Sequence, residues 1–166
     1  MVREICRPQH APAHKTGGSK KAVLVADDEP ELMSEFYRTC FEVDPELSQY
    51  DLFIVDNSAG GLRLFRENQG RIMAVVSDRN MHKNKTAGDQ FIRDVRAIEQ
   101  ESGTANSSSR GVGIAMLSGT LPKEEERSLI PADKFECKPI RMDTLAALLK
   151  EMIQLTEKRQ QQRLTH

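Results

Sequence analysis

The sequence predicts an α/β fold: a doubly wound, five-stranded parallel sheet with helices on both faces. Three observations carry this expectation. Short apolar runs alternate with segments of helical period along the chain, and the first and third runs are almost uniformly apolar. Uniform apolarity marks strands covered on both sides, and a parallel return requires a helical crossover over the sheet. The 166 residues, 38% hydrophobic and 30% charged, suit a single hydrophobic core.

The first strand is Ala22 to Ala26, followed by Leu32, Met33, Phe36, Cys40 and Phe41 at helical spacing behind Pro30. Leu52 to Val55 reads as the second strand, and Leu62, Leu64 and Phe65 mark the second helix. Ile72 to Val76 is the third strand, and Phe91, Ile92, Val95 and Ile98 share one face of the third helix. Ile114 to Leu117 is the fourth strand, and Lys123 to Ile130 a short polar helix behind Pro122. The run KEEER within that helix reads as a solvated face with pairs at i, i+3 and i, i+4. Lys134 to Cys137 is the fifth strand. Leu145, Leu148, Leu149, Met152 and Ile153 fall at i, i+3, i+4, i+7 and i+8, which defines the last helix.

The domain is therefore expected over 21–157. Residues 1–20, with Pro8, Pro12, Gly17 and Gly18, read as a mobile arm, and 158–166 as a polar tail that extends the last helix before fraying. The serine-rich and glycine-rich stretch from Gln100 to Gly113 reads as a surface loop.

Composition excludes several function classes. With 24 Lys+Arg against 25 Asp+Glu the net charge is −1, which gives no global attraction to nucleic acid or an acidic membrane. No window reaches the roughly 18 apolar residues of a membrane span, and the N-terminus lacks the apolar stretch of a signal peptide. Cys6, Cys40 and Cys137 have no CxxC spacing and suggest reduced thiols in the cytoplasm. Two Tyr, six Phe and no Trp give little material for base stacking. His10, His14 and Cys6 in the arm lack ligand spacing for a metal.

In an open sheet of this kind, functional residues lie beyond the carboxyl ends of the strands. Those ends carry Asp27 and Asp28, then Asp78, Ser118, and Lys138 with Pro139. Three carboxylates converging on one edge raise each other's pKa unless a hard divalent cation shares them, and Mg2+ suits so sparse a ligand set. A carboxylate can also carry a phosphoryl group as an acyl phosphate, with Lys138 and the Ser118 hydroxyl available to phosphoryl oxygens. Taken singly, Asp27 and Asp28 could be helix-capping acids before Pro30, and Lys138 a solvated lysine.

The segments VLVADDE, VVSDRNM, AMLSG and FECKP, in that order and at those strand ends, resemble the receiver domain of two-component response regulators, over about Lys21 to Leu155. The resemblance implies a flavodoxin-like three-layer (βα)5 sandwich with strand order 2-1-3-4-5. It implies that Asp78 is the phosphoacceptor, Asp28 a direct Mg2+ ligand, Asp27 the acid that helps hold the metal and its water, and Asn80 the donor of a backbone carbonyl to it. Ser118 matches the switch hydroxyl, Lys138 the family's lysine, and Phe135 the aromatic whose rotation reports phosphorylation, although aromatics at such positions also serve as plain core. Asn80 and Thr120 sit where family members tune attack of water on the acyl phosphate.

The implied partners are a histidine kinase or phosphotransfer protein and a downstream protein on the face of the fourth helix, fifth strand and fifth helix. A homodimer through that face is a further option. Neither flank is long enough for a DNA-binding module, so a stand-alone, non-enzymatic receiver is expected.

The chain departs from the family pattern where His82 follows Met81 and Gly88 comes about two residues late, in Arg79 directly after Asp78, and in serine for threonine at 118. Two other classes compete. A Mg2+-dependent phosphatase with an aspartate nucleophile needs a D-x-D motif, and position 80 is Asn. A binding module acting without phosphate would follow if the basic loop around Lys83 and Lys85 blocks the donor.

Overall fold

The computed structural model describes residues 20–103 and 111–165. The arm expected over 1–20, apart from Lys20, and most of the serine-rich loop lie outside the described residues. The strands are β1 (Ala22–Ala26), β2 (Asp51–Val55), β3 (Ile72–Asp78), β4 (Gly113–Ser118) and β5 (Lys134–Cys137). The helices are α1 (Pro30–Val43), α2 (Ser58–Glu67), α3 (Ala87–Glu101), α4 (Glu124–Leu129) and α5 (Met142–Leu164). All strands pair in parallel in the order β2-β1-β3-β4-β5. The fold is the doubly wound (βα)5 sandwich that the alternation predicts.

Strand alternation sorts the core into two layers. Val23 and Val25 of β1 pack with Val76, Leu117 and the α1 and α5 residues Tyr37, Leu145 and Leu149. Leu24 and Ala26 point the other way and pack with Val75, Met116 and the α3 residues Phe91, Ile92 and Val95. Every residue of β1, β3 and β4 is buried, as strands covered on both faces should be. Each fully buried aliphatic or aromatic side chain contributes about 1.5–3 kcal/mol.

The helix ends follow local chemistry. Pro30 starts α1, where its missing N–H leaves no bond unmade. Asp44 ends that helix and accepts the N–H groups of Glu46 and Leu47, which shapes a 3-10 turn at Leu47–Gln49 that periodicity does not reveal. Asn57 caps α2 by accepting Gly60 N–H at 2.8 Å. α4 is six residues, shorter at both ends than expected. Its Glu126 accepts the Lys123 N–H, an i, i+3 pair within the exposed KEEER run as expected, and pairs in addition with Arg79 outside the helix.

The polar end of α5 stays helical to Leu164 and enters the packing. Thr156 donates to the Met73 carbonyl and accepts Gly113 N–H, joining α5 to the starts of β3 and β4. Arg159 binds Asp133. Arg96 and Glu99 of α3 complete a buried ionic group with Asp133, in which Arg96 and Arg159 also donate to the Val112 carbonyl. Among the described residues, no helix is long and apolar enough to cross a membrane.

Candidate functional site

Register brings the site together. Ala26 of β1 lies opposite Ser77 of β3, so the next residues, Asp27 and Asp78, emerge side by side. Asp78 lies opposite Leu117 of β4, and Ser118 opposite Cys137 of β5, which places Ser118 and Lys138 at the same edge. Of the residues singled out in the sequence, Asp27, Asp28 and Asp78 meet: one carboxylate oxygen from each lies within 4.8 Å of the others. Lys138 Nζ reaches both strands, donating to Asp27 Oδ2 at 3.0 Å and pairing with Asp78 Oδ2 at 3.3 Å.

The charges do not balance. Three carboxylates face one ammonium in a site where Asp27 is 1% and Asp78 7% exposed. Burial is the main force raising the Asp78 pKa; Lys138 opposes it and the Asp27 charge adds to it. Burial pulls Lys138 the other way, but its bond to Asp27 and the two carboxylate charges outweigh it and hold the amine firmly protonated. An excess of buried negative charge with several free oxygen lone pairs fits a hard divalent cation such as Mg2+.

A stability prediction follows from the raised pKa of Asp78. The folded state disfavours its ionised form, so the contribution of this group is fully present below about pH 3.8 and is lost as pH rises through the higher folded value. Asp78→Asn should therefore stabilise the metal-free protein at neutral pH by about 1 kcal/mol, roughly 2–4 °C in Tm, with the advantage vanishing in acid. Lys138 keeps Asp27 as a partner in this variant. Thermal melts across pH check it, and added Mg2+ should reverse the order by stabilising wild type more.

The loop after β3 explains how the late glycine is accommodated. Met81 and Asn84 exchange backbone hydrogen bonds around a two-residue turn whose centre, His82 and Lys83, lies in the left-handed region at φ 52° and 63°. Such a turn favours Asn-Gly, so this pair is strained. The turn absorbs the two extra residues and aims the His82 N–H at Asp28 Oδ2, 2.5 Å away. Gly88 thereby keeps its seat against β3, where a Cβ would lie 2.1 Å from the Asp78 carbonyl oxygen.

The remaining candidates lie around this centre, and among them Asn80 bonds to it through its backbone. Ser118 is buried at the end of β4, and its hydroxyl donates to the Thr120 carbonyl at 2.6 Å. Thr120 and Asn80 are exposed; the Asn80 N–H leans on Asp78 Oδ1 at 3.4 Å. Phe135 is half-buried on β5 under the Arg127 guanidinium, 5.8 Å from the ring centre.

Three features escape a sequence reading. Arg79 is held by Asp89 and Glu126. Asp28, a candidate metal ligand, is fixed by the His82 backbone N–H. Tyr37 is fully buried with its hydroxyl unpartnered, and burial, then the Asp27 and Asp78 charges, push its pKa far up, so it stays a neutral phenol.

Comparison with known structures places the fold. A response regulator receiver domain protein from Clostridium thermocellum is similar at 22% identity and TM-score 0.62, over 82% of this chain and 97% of that one. A CheY-like receiver domain protein from Methanospirillum hungatei JF-1 is similar at 19% identity and TM-score 0.61, over 84% and 98%. The receiver domain of a sensor histidine kinase from Pseudomonas aeruginosa PAO1, with magnesium coordinated in its active site cleft, is similar at 16% identity and TM-score 0.59, over 82% and 99%. No family model and no curated protein matches the sequence. The chain has the CheY-like receiver fold.

Proposed function

We propose that this protein is a receiver that accepts a phosphoryl group on Asp78, with Mg2+, from a histidine kinase or phosphotransfer protein, and signals by protein contact. The observation that carries the reading is the group of Asp27, Asp28 and Asp78 with Lys138 reaching across it. Asp27, Asp28 and Asp78 would hold the metal together with the Asn80 carbonyl. Bound there, the cation neutralises charge on the phosphoryl oxygens and orients them.

The protein's own residues do the rest. An Asp78 oxygen attacks phosphorus, the P–N bond of a phosphohistidine breaks, and its electron pair stays on the imidazole nitrogen. Lys138 shifts from Asp78 onto a phosphoryl oxygen while Asp27 keeps it protonated. Ser118 leaves the Thr120 carbonyl to donate to another oxygen. Space then opens for Phe135 to turn inward, which removes the Arg127 guanidinium from its ring and alters the face of α4, β5 and α5. Receivers of this fold are mainly signalling modules. With Asn80 in place of an acid, phosphoester turnover should be negligible.

The test is intact mass of wild type and Asp78→Ala after incubation with acetyl phosphate, with and without Mg2+. The expected result is one phosphoryl adduct that requires Mg2+ and disappears in the variant. A folded wild-type protein that never labels would overturn this reading in favour of a binding module that works without phosphate.

A further inference from the structure

None of the six residues of α4 is buried, so no apolar face anchors this helix. Helices this short do not persist on propensity alone, and α4 depends on polar ties. Glu126 supplies two: Oε2 accepts the Lys123 N–H at 2.9 Å, and Oε1 pairs with Arg79 Nη2 at 3.2 Å. Arg127 adds a bond to the Pro122 carbonyl.

Arg79 follows Asp78 directly in the chain, and the same guanidinium is gripped by both oxygens of Asp89, at 3.1 and 3.3 Å, in the first turn of α3. One cation thus connects the end of β3 to α3 and to α4. Its two partnerships are unequal. The Asp89 carboxylate is buried and holds Arg79 in a fork, whereas Glu126 is half-exposed and makes a single contact.

We infer that Arg79 is a further positioning residue, beside Ser118 and Phe135, through which charge at Asp78 acts on α4. Its pair with Glu126 holds the helix in the unmodified protein, and negative charge added at Asp78 competes for the guanidinium and releases it. The inference rests on Asp78 being the phosphoacceptor. A phosphoryl group adds close to two negative charges one residue before Arg79 in the chain, and of the two Arg79 pairs the exposed single contact gives way first. By reciprocity, loosening the Glu126 contact favours the modified state by the same factor.

The experiment titrates beryllofluoride with Mg2+, a mimic of the aspartyl phosphate, into wild type, Glu126→Gln and Glu125→Gln, and follows amide exchange in α4. Glutamine at 126 keeps an acceptor for the Lys123 N–H and loses the attraction to Arg79. Glu125→Gln removes the same charge from the same turn without touching Arg79. Glu126→Gln should bind the mimic about two- to fivefold more tightly than wild type. Its α4 amides should exchange without the mimic as fast as those of wild type do with it, and Glu125→Gln should match wild type throughout. Equal affinities and equal exchange for Glu126→Gln and wild type would overturn the role of Arg79 alone, as would equal tightening by both variants. Failure of wild type to bind the mimic would overturn the receiver reading and this inference with it.

Discussion

Asp133→Ala is expected to destabilise the protein by about 3–5 kcal/mol, read as a lower midpoint in urea with an unchanged slope. Its carboxylate, 6% exposed, accepts from Arg96, from both terminal nitrogens of Arg159 and from the Ile114 N–H. Truncation leaves two largely buried guanidinium groups short of a counter-charge, and that uncompensated charge dominates the cost. Burial alone would raise the Asp133 pKa, but the Arg159 bond and the Arg96 charge outweigh it and lower it to about 2. A folded pKa below the unfolded one gives stability that is present above about pH 3.8 and lost as pH falls towards 2. Acid unfolding of wild type should therefore steepen in that window, and Asp133→Asn should flatten it.

The second large effect concerns Gly88. A Cβ there would lie 2.1 Å from the Asp78 carbonyl oxygen and 2.7 Å from Arg79 Cα. Both are backbone atoms, so neither can rotate away, and α3 must lift off β3. Gly88→Ala should cost about 3 kcal/mol or more, at the upper end of what overpacking does. It should also weaken Mg2+ binding about 10–100-fold by displacing the peptide that carries Asp78. Gly70 is the control, because a Cβ there would meet nothing within 4 Å and its backbone is not left-handed. Gly70→Ala should leave both properties unchanged or improve stability slightly. Urea melts and a Mg2+ titration of the two variants check the pair.

Much of the fold is legible in the sequence because hydrophobic periodicity is local. The limits of β1 and β5 fall where the sequence places them, while β3 extends by Ser77 and Asp78 and β4 by Gly113 and Ser118, which complete the ladder without adding to the apolar signal. The site is legible for a related reason: Asp78 ends β3, Asp27 and Asp28 follow β1, Lys138 follows β5, and parallel register carries strand ends to one edge. Ionic partners are a different matter. Arg79 and Glu126, or Arg96 and Asp133, are separated by more than thirty residues and meet only once topology is fixed. One signal does exist: Asp89, Arg96 and Glu99 interrupt the apolar face of α3, and charges in such a stripe require buried partners. Nothing in the composition of His82 and Lys83 announces a left-handed turn, since that geometry suits Asn and Gly.

The length of α5 sets how the molecule can be handled. Its 23 residues span about 35 Å against about 23 Å for the seven of β3, and Thr156 and Glu157 already sit level with the strand starts. The last two turns therefore project past the sheet, ending at Leu164, 89% exposed, on the same side from which Lys20 enters β1. Both ends of the described chain thus leave opposite the carboxylate edge. A fluorophore, an affinity tether or a fused neighbour joined after Leu164 starts a full sheet's height from Asp78, so protein immobilised there presents that edge to solution and to any phosphodonor in it.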